Sequence, residues 1–459
     1  GTDSPDTRFT AFNCENIIYA TGGPAGMYAD SVYPVGQFGA TGIAFEAGVR
    51  GKNLTEWQYG LASLVPRWNV SGTYIQAIPR FISTDSRGGD EREFLNEYFL
   101  DAGEMHTKVF LKGYEWPFDA RRASSGSSLI DMLVYNERCI RNRRVFLDFT
   151  RNPHGLDFSQ IEIEAREYLE RAGALFGKPI DRLIHMNEPA YAFYRDRGAD
   201  LQETPLEIAV CAQHNNGGLS VDCWWRTNIE GFFAVGEASA THGVYRPGGS
   251  ALNAGQVGSM RAAQYIAQNR SQPVRDIGSF TAAAGEKIAG VIGMHTMSDE
   301  SNIDALTERA RRSMSKAGAV IRHSQQISQL AGETKELLFD FEKRVKINDS
   351  RKLGMLYRFY DMLLSQYVYL SAMRNYMENG GKSRGSALYY DVTGEKPHPL
   401  LGEMFRFAPD DGAKRDMVQE VLYSNGNCSF TWRKVREIPK EDDFFENVWK
   451  RYRENRNIY

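Results

Sequence analysis

The stretch Gly231-Phe232-Phe233-Ala234-Val235-Gly236-Glu237-Ala238-Ser239, followed by His242-Gly243-Val244-Tyr245-Arg246-Pro247-Gly248-Gly249-Ser250-Ala251-Leu252-Asn253, decides the fold. Its first residues are an apolar run of strand length that stops at Gly-Glu, placing one carboxylate at the carboxyl edge of a sheet. A glycine-rich loop then leads into a helix through Arg261. Such a loop aims free N–H groups and the positive end of the helix dipole at whatever lies there. Glu237 could grip a ribose or ribitol hydroxyl, and an electron-rich ring over the helix start would gain about 0.3–1 kcal/mol. Strand, acid and glycine loop in this order, with a His and an Arg alongside, signal more than any one of them alone.

Upstream lies His214-Asn215-Asn216-Gly217-Gly218-Leu219, a second glycine turn. Near the start, Asn16-Ile17-Ile18-Tyr19-Ala20 is a short apolar run that breaks at Thr21-Gly22-Gly23. Doubly wound sheets use such a turn to bring backbone close to a cofactor, and a plain surface turn is equally compatible. The segment from Gln37 to Gly48 looks like a loop entering a small-residue helix. Between 61 and 205 charged and aromatic residues alternate with turn signals, and the periodicity predicts an amphipathic helix over 158–172. This reads as an α+β insertion. From 206 to 269 the glycine-rich pattern returns. A helical stretch over 300–378, broken near 348–350, carries Met355, Leu356, Phe359, Tyr360, Leu363, Leu364 and Tyr367 at helical spacing, as in a bundle of core-facing helices. The tail from Ser383 mixes turns with aromatics and ends in a charged helix over 441–455, read as a solvated face.

The chain has 459 residues, enough for about three domains. Its net charge of −3 supplies no basic field for nucleic acid or an anionic membrane, and no run approaches the roughly 18 apolar residues of a span. Five scattered cysteines (Cys14, Cys139, Cys211, Cys223, Cys428) form no C-x-x-C pair, which argues against a disulfide framework, a zinc knuckle or an iron–sulfur cluster and fits a cytoplasmic setting. No metal ligand set is read. His106, His154, His185, His295, His323 and His398 are read as structural or surface; His214 and His242 stand apart because each adjoins a glycine turn at a strand end.

HNNGG, FFAVGEAS and HGVYRPGGSAL resemble the motifs of the succinate dehydrogenase, fumarate reductase and L-aspartate oxidase flavoprotein family. NIIYATGG, EFL near Phe94, MSKAGAVIR at 314–322 and SRG at 383–385 extend the resemblance to about residue 390. It implies an α/β plus α+β molecule. An FAD-binding, Rossmann-like domain would be split over 1–60 and 206–275, with an inserted capping domain at 61–205, a helical domain at 276–382 and a C-terminal extension at 383–459. It further implies an FAD-dependent oxidoreductase passing hydride between flavin and an activated carbon–carbon bond of a carboxylate substrate, with an electron-transfer partner. Cofactor contacts would be Gly22, Gly23, Gly217, Gly218, Glu237 and the backbone at Ser250, Ala251 and Leu252. His214 and Arg246 would bind a substrate carboxylate, though for His214 a structural hydrogen-bonding role stays open. The catalytic acid would be Arg121, or else Arg122, in Phe118-Asp119-Ala120-Arg121-Arg122-Ala123-Ser124-Ser125, with Arg138 competing.

The sequence departs from the family at several points. Only fifteen residues precede Asn16, without the G-x-G-x-x-G unit that cradles a pyrophosphate; the expectation is a fragment lacking about 150–200 N-terminal residues. The alternative to an enzyme is therefore a catalytically incompetent scaffold that binds no FAD without a companion N-terminal segment. The family's Gln-Phe-His-Pro-Thr aligns with Gln58-Tyr59-Gly60-Leu61-Ala62, its Thr-Glu pair with Gln76-Ala77, and its Gly-Asp-Gly with Phe38-Gly39-Ala40. A histidine, a relay carboxylate and an acidic residue are thereby replaced, so the pocket is not that of a standard fumarate reductase.

Overall fold

The apolar run near the start becomes the strand Ile17–Tyr19, and the run before Gly236 becomes Phe232–Ala234. They pair in parallel, Ile18 opposite Phe233. A computed structural model describes residues 9–269, 274–294, 296–436, 449–450 and 452–454. Among the described residues the other edge of Ile17–Tyr19 has no strand beside it, and Ile17 and Ile18 are 45% and 51% exposed. The helix Ser250–Gln268 buries only Gly258 and Ala262, packing by one narrow seam over Trp225 and Phe233. Its opposite face stands open, with Leu252 80% exposed.

A five-stranded antiparallel sheet runs in the order Arg67–Asn69, Trp57–Leu64, Leu206–Asn215, Arg144–Asp148, Arg80–Thr84. Gln58 stands opposite His214, and Leu61 opposite Val210. The chain leaves this pair of strands after Leu64 and returns at Leu206, so residues distant in sequence become neighbours. Helices Ala102–Lys112, Ser128–Tyr135, Ile163–Arg171 and Pro179–Arg195 lie in between. The helix expected over 158–172 is shorter than its periodicity predicts. The Asp157 carboxylate takes the Ser159 N–H and hydroxyl at 2.8 and 2.7 Å, a local turn that competes with the helix and delays its start.

The helical stretch is broken twice. Helix Ile303–Ala317 ends before a strand at Ile321–Arg322, Ser324–Phe339 follows, and Leu353–Glu378 begins after a second short strand at Lys346–Ile347. Leu356, Phe359, Leu363 and Leu364 are buried as their spacing requires, whereas Met355 faces out. Asp361 reaches from the long helix to the helix Thr41–Glu46, where its carboxylate accepts the Ile43 N–H at 2.9 Å.

The tail read as turns contains strands. Met417–Ser424 and Asn427–Lys434 form a hairpin through Asn425 and Gly426, whose φ angles of 48° and 74° suit a primed turn. The first hairpin strand pairs with Gly51–Lys52, which pairs with Gly218–Leu219. The charged helix expected over 441–455 lies outside the described residues apart from 449–450 and 452–454, and His295 lies outside them as well. At the centre, the Tyr28 and Tyr59 hydroxyls lie 2.9 Å apart and both reach the Gly318 carbonyl. The buried Arg322 meets Tyr59 at 3.3 Å and donates to the Thr55 carbonyl at 2.7 Å. No helix among the described residues is long and apolar enough to cross a membrane, and the five cysteines are free.

Candidate active site

Strand Leu206–Asn215 carries His214 near its end, buried, with Nδ1 2.9 Å from Asn216 Oδ1. The loop after Glu237 lays His242 against it, ring centroids 4.6 Å apart and nearly perpendicular. Burial and the Arg246 charge push His214 down to about 3 and His242 to about 4, so both imidazoles are neutral near pH 7. Neither His242 ring nitrogen has a hydrogen-bond partner among the described residues.

Arg246 is half-buried. Its Nε donates to Gln58 Oε1 at 2.8 Å, Gln58 Nε2 donates back to the Arg246 carbonyl at 3.2 Å, and Arg246 Nη1 reaches the Pro247 carbonyl at 3.2 Å. No carboxylate pairs with it among the described residues. Arg121 lies 3.9 Å above the Tyr245 ring and forks onto Asp119, with Nη2 at 2.6 Å from Oδ2. That partner raises the Arg121 guanidinium. Arg122 faces Glu115 at 3.6 Å. The segment carrying both is held down by Phe118 N–H on the Tyr59 carbonyl at 2.8 Å and Ala120 N–H on the Gly385 carbonyl at 2.9 Å. Arg121, Arg122 and Arg246 thus line one cavity of about 270 Å³, together with Trp57, Gln58, Glu115, Trp116, Phe118, Asp119 and Tyr245. His214 is off the wall of that cavity. Arg138 is elsewhere, bound to Asp30 at 3.0 Å and Glu207 at 3.5 Å.

The Gly60 position explains part of the wall. A Cβ there would stand 2.6 Å from Trp116 Nε1, so the indole holds the space a side chain would need. Gln76 is remote from the cavity, packed at Gly113 and within 3.4 Å of the Tyr168 hydroxyl.

Glu237 is half-buried just past the end of Phe232–Ala234, where it accepts the Asn215 N–H at 2.7 Å and the Tyr33 hydroxyl. Burial pushes its carboxyl up to about 7, against the pull of the Asn215 and Gly23 N–H groups and of Arg246. A Cβ at Gly23 would stand 2.4 Å from the Glu237 carboxylate, so the glycine lets this carboxyl sit against the chain, and Gly22 has φ +73°. Gly217 and Gly218 are packed on the Asn53 and Ala238 carbonyls, so chain fills the space beside them. Gly249, at φ +77°, opens the helix Ser250–Gln268 with no side-chain cap, leaving the helix start at Ser250, Ala251 and Leu252 without a side-chain acceptor. A Cβ at Gly236, Gly243, Gly248 or Gly249 would meet open space. An uncapped helix start, a half-buried carboxyl raised toward neutrality and an exposed Leu252 fit the needs of a flavin: donors for its polar edge and an apolar face for its ring.

Sequence reasoning missed Gln58, Trp116 and Tyr245. Gln58 carried a signal through its place beside Tyr59-Gly60 and Tyr245 through its place beside Arg246; Trp116 meets the site only through tertiary structure.

Comparison with known proteins gives the family. The family model described as FAD binding domain matches residues 3–252, and the chain belongs to that family, whose cofactor is FAD. It is 26% identical over 280 residues to a fumarate reductase (CoM/CoB) subunit of Methanothermobacter marburgensis, covering 59% of this chain and 42% of that protein. It is 24% identical over 358 residues to the succinate dehydrogenase flavoprotein subunit of Bacillus subtilis, covering 75% and 54%. The chain thus spans about half the length of these curated relatives. A quinol-fumarate reductase structure shares the fold at a TM-score of 0.62 and 17% identity, covering 93% of this chain and 67% of that one.

Proposed function

We propose that this chain works in an FAD-dependent oxidoreductase that acts on an activated carbon–carbon bond of a carboxylate substrate. The observation that carries this reading is the meeting of Arg121, Arg122 and the carboxylate-free Arg246 on one cavity, in a chain that also holds the Glu237 strand end and the open helix start. When bound, FAD would supply hydride transfer. The turn at Gly22 and Gly23, the Glu237 carboxyl and the N–H groups at Ser250, Ala251 and Leu252 would hold it. Gly217 and Gly218 would let the backbones close up beside it.

Arg246 would fix the substrate carboxylate through its free guanidinium face, with Gln58 holding it in plane. Arg121 or Arg122 would move the proton across the cavity. The neutral His214 and His242 would support the site without adding charge. On this division of labour, 1–60 and 206–275 serve the cofactor, 61–205 caps the substrate, 276–382 braces both, and 383–459 is an extension. The unpaired edge of Ile17–Tyr19 and the open face of Ser250–Gln268 support a companion strand-and-helix segment that completes the cofactor site; an electron-transfer partner belongs to the same reading. The five free cysteines support a cytoplasmic setting.

The test is spectral and kinetic. Added FAD is expected to give bound flavin absorbance, retained less well by Glu237→Ala. Arg246→Ala is expected to cut kcat/KM for a carboxylate acceptor at least about a hundredfold while flavin occupancy stays unchanged. Loss of flavin along with turnover in Arg246→Ala would make that residue structural. A chain that stays colourless after FAD is added to it alone would favour the scaffold.

A further inference from the structure

We infer that the cavity carrying Arg246, on the reading that it is the substrate site, selects a singly charged acid with an aromatic or similarly bulky apolar body and discriminates against a dicarboxylate. Charge sets the first limit. Arg121, Arg122 and Arg246 line the cavity, as do the carboxylates Asp119 and Glu115. Asp119 engages Arg121 at two nitrogens, with Nε 3.1 Å from Oδ1 and Nη2 2.6 Å from Oδ2. Glu115 faces Arg122 at 3.6 Å. Among the side chains that line it, three cations against two carboxylates leave one positive charge, and the pairing leaves it on Arg246, whose side chain donates only to the neutral Gln58 side chain and the Pro247 carbonyl among the described residues. Glu237, which also feels Arg246, lies off the wall and is engaged by the Asn215 N–H and the Tyr33 hydroxyl. The nearby imidazoles add nothing, since His214 and His242 are held neutral by burial and by Arg246 itself. One carboxylate completes this balance. A second would sit in the cavity uncompensated, and an unpaired charge in a partly dry site is strongly disfavoured.

The wall sets the second limit. Position 60 offers no side chain, and none fits, because Trp116 Nε1 would stand 2.6 Å from its Cβ. Trp57, Trp116, Pro117, Phe118, Tyr245 and Pro247 supply apolar surface around the cavity. The indole N–H groups of Trp57 and Trp116 are buried and without hydrogen-bond partners among the described residues, so neither adds a charge or an exposed donor to the cavity. Size points the same way. A dry apolar cavity of about 150 Å³ accommodates benzene. About 270 Å³ is room for a ring with a short acid arm.

The test is calorimetric titration of the full chain, with FAD in excess, using trans-cinnamate, fumarate and cinnamyl alcohol at pH 7. Cinnamate is expected to bind at least about tenfold tighter than either of the others, one power of ten being about 1.4 kcal/mol. Arg246→Gln should bring cinnamate down to the level of the alcohol, and Trp116→Leu should weaken cinnamate while leaving fumarate unchanged. Fumarate binding as tightly as cinnamate, or no binding of either acid, overturns the inference. Flavin absorbance of the same sample separates the two readings. Cinnamate preference without retained flavin sinks the flavoenzyme and keeps the selectivity; retained flavin with fumarate preferred does the reverse.

Discussion

His106 illustrates how a single buried side chain sets acid sensitivity. It lies inside the helix Ala102–Lys112, fully buried, with neither ring nitrogen hydrogen-bonded among the described residues. Burial, aided by the Arg182 charge, pushes it down from 6.5 to about 4. The unfolded chain therefore binds a proton below pH 6.5 that the folded chain refuses until about pH 4. Stability associated with the neutral ring is complete above pH 6.5 and falls as pH drops, by about 1.4 kcal/mol per unit, or about 2 kcal/mol by pH 5. His106→Leu removes this proton and keeps the volume. The expected outcome is a smaller drop in Tm between pH 7 and pH 5 than the wild type shows; equal drops would exonerate His106. Nothing in the sequence around His106 marks it out from surface histidines, because its isolation comes from the helices packed over it.

Elements were legible where the signal is local. The Gly-Glu strand end and the helix after Gly249 fall where the apolar run and the glycine loop put them, since both depend on neighbours within a few residues. The hairpin Met417–Lys434 carried its own local sign, Asn425-Gly426, yet its pairing with Gly51–Lys52 across the chain is invisible to a linear reading. The cavity was legible in Arg246 and the paired arginines, whereas Trp116 over Gly60 is a consequence of folding. Glycine at Gly42 makes the same point about elements. In the helix Thr41–Glu46 a Cβ there would overlap the Asp361 backbone carbonyl. In the helix Ile277–Gly293, Gly285 has nothing near it. Gly42→Ala should lower stability by about 1–3 kcal/mol through overpacking, whereas Gly285→Ala should raise it by up to about 1 kcal/mol through helix propensity. Chemical denaturation of both variants decides it; a stabilising Gly42→Ala would mean the two helices are not in contact.

The whole molecule is tied by contacts between distant segments. Arg384 and Glu56 are 6% and 4% exposed in their side chains and meet at 2.8 Å, joining the SRG segment to the start of Trp57–Leu64. Arg384→Met leaves Glu56 buried with only the Thr55 hydroxyl at 2.9 Å, which should cost about 3–5 kcal/mol in urea unfolding. Adding Glu56→Gln should recover part of that loss; a double variant no better than the single would show that the two residues act independently. The tyrosines around Gly318 have a consequence for anyone following this chain by optical means. Burial holds the Tyr28 and Tyr59 phenols above their ordinary ionisation range and Tyr389 at about 12. In a rapid alkaline jump, phenolate absorbance from these rings cannot rise until the segments that enclose them separate. Their ultraviolet signal is a built-in clock for global opening, one that needs neither dye nor label.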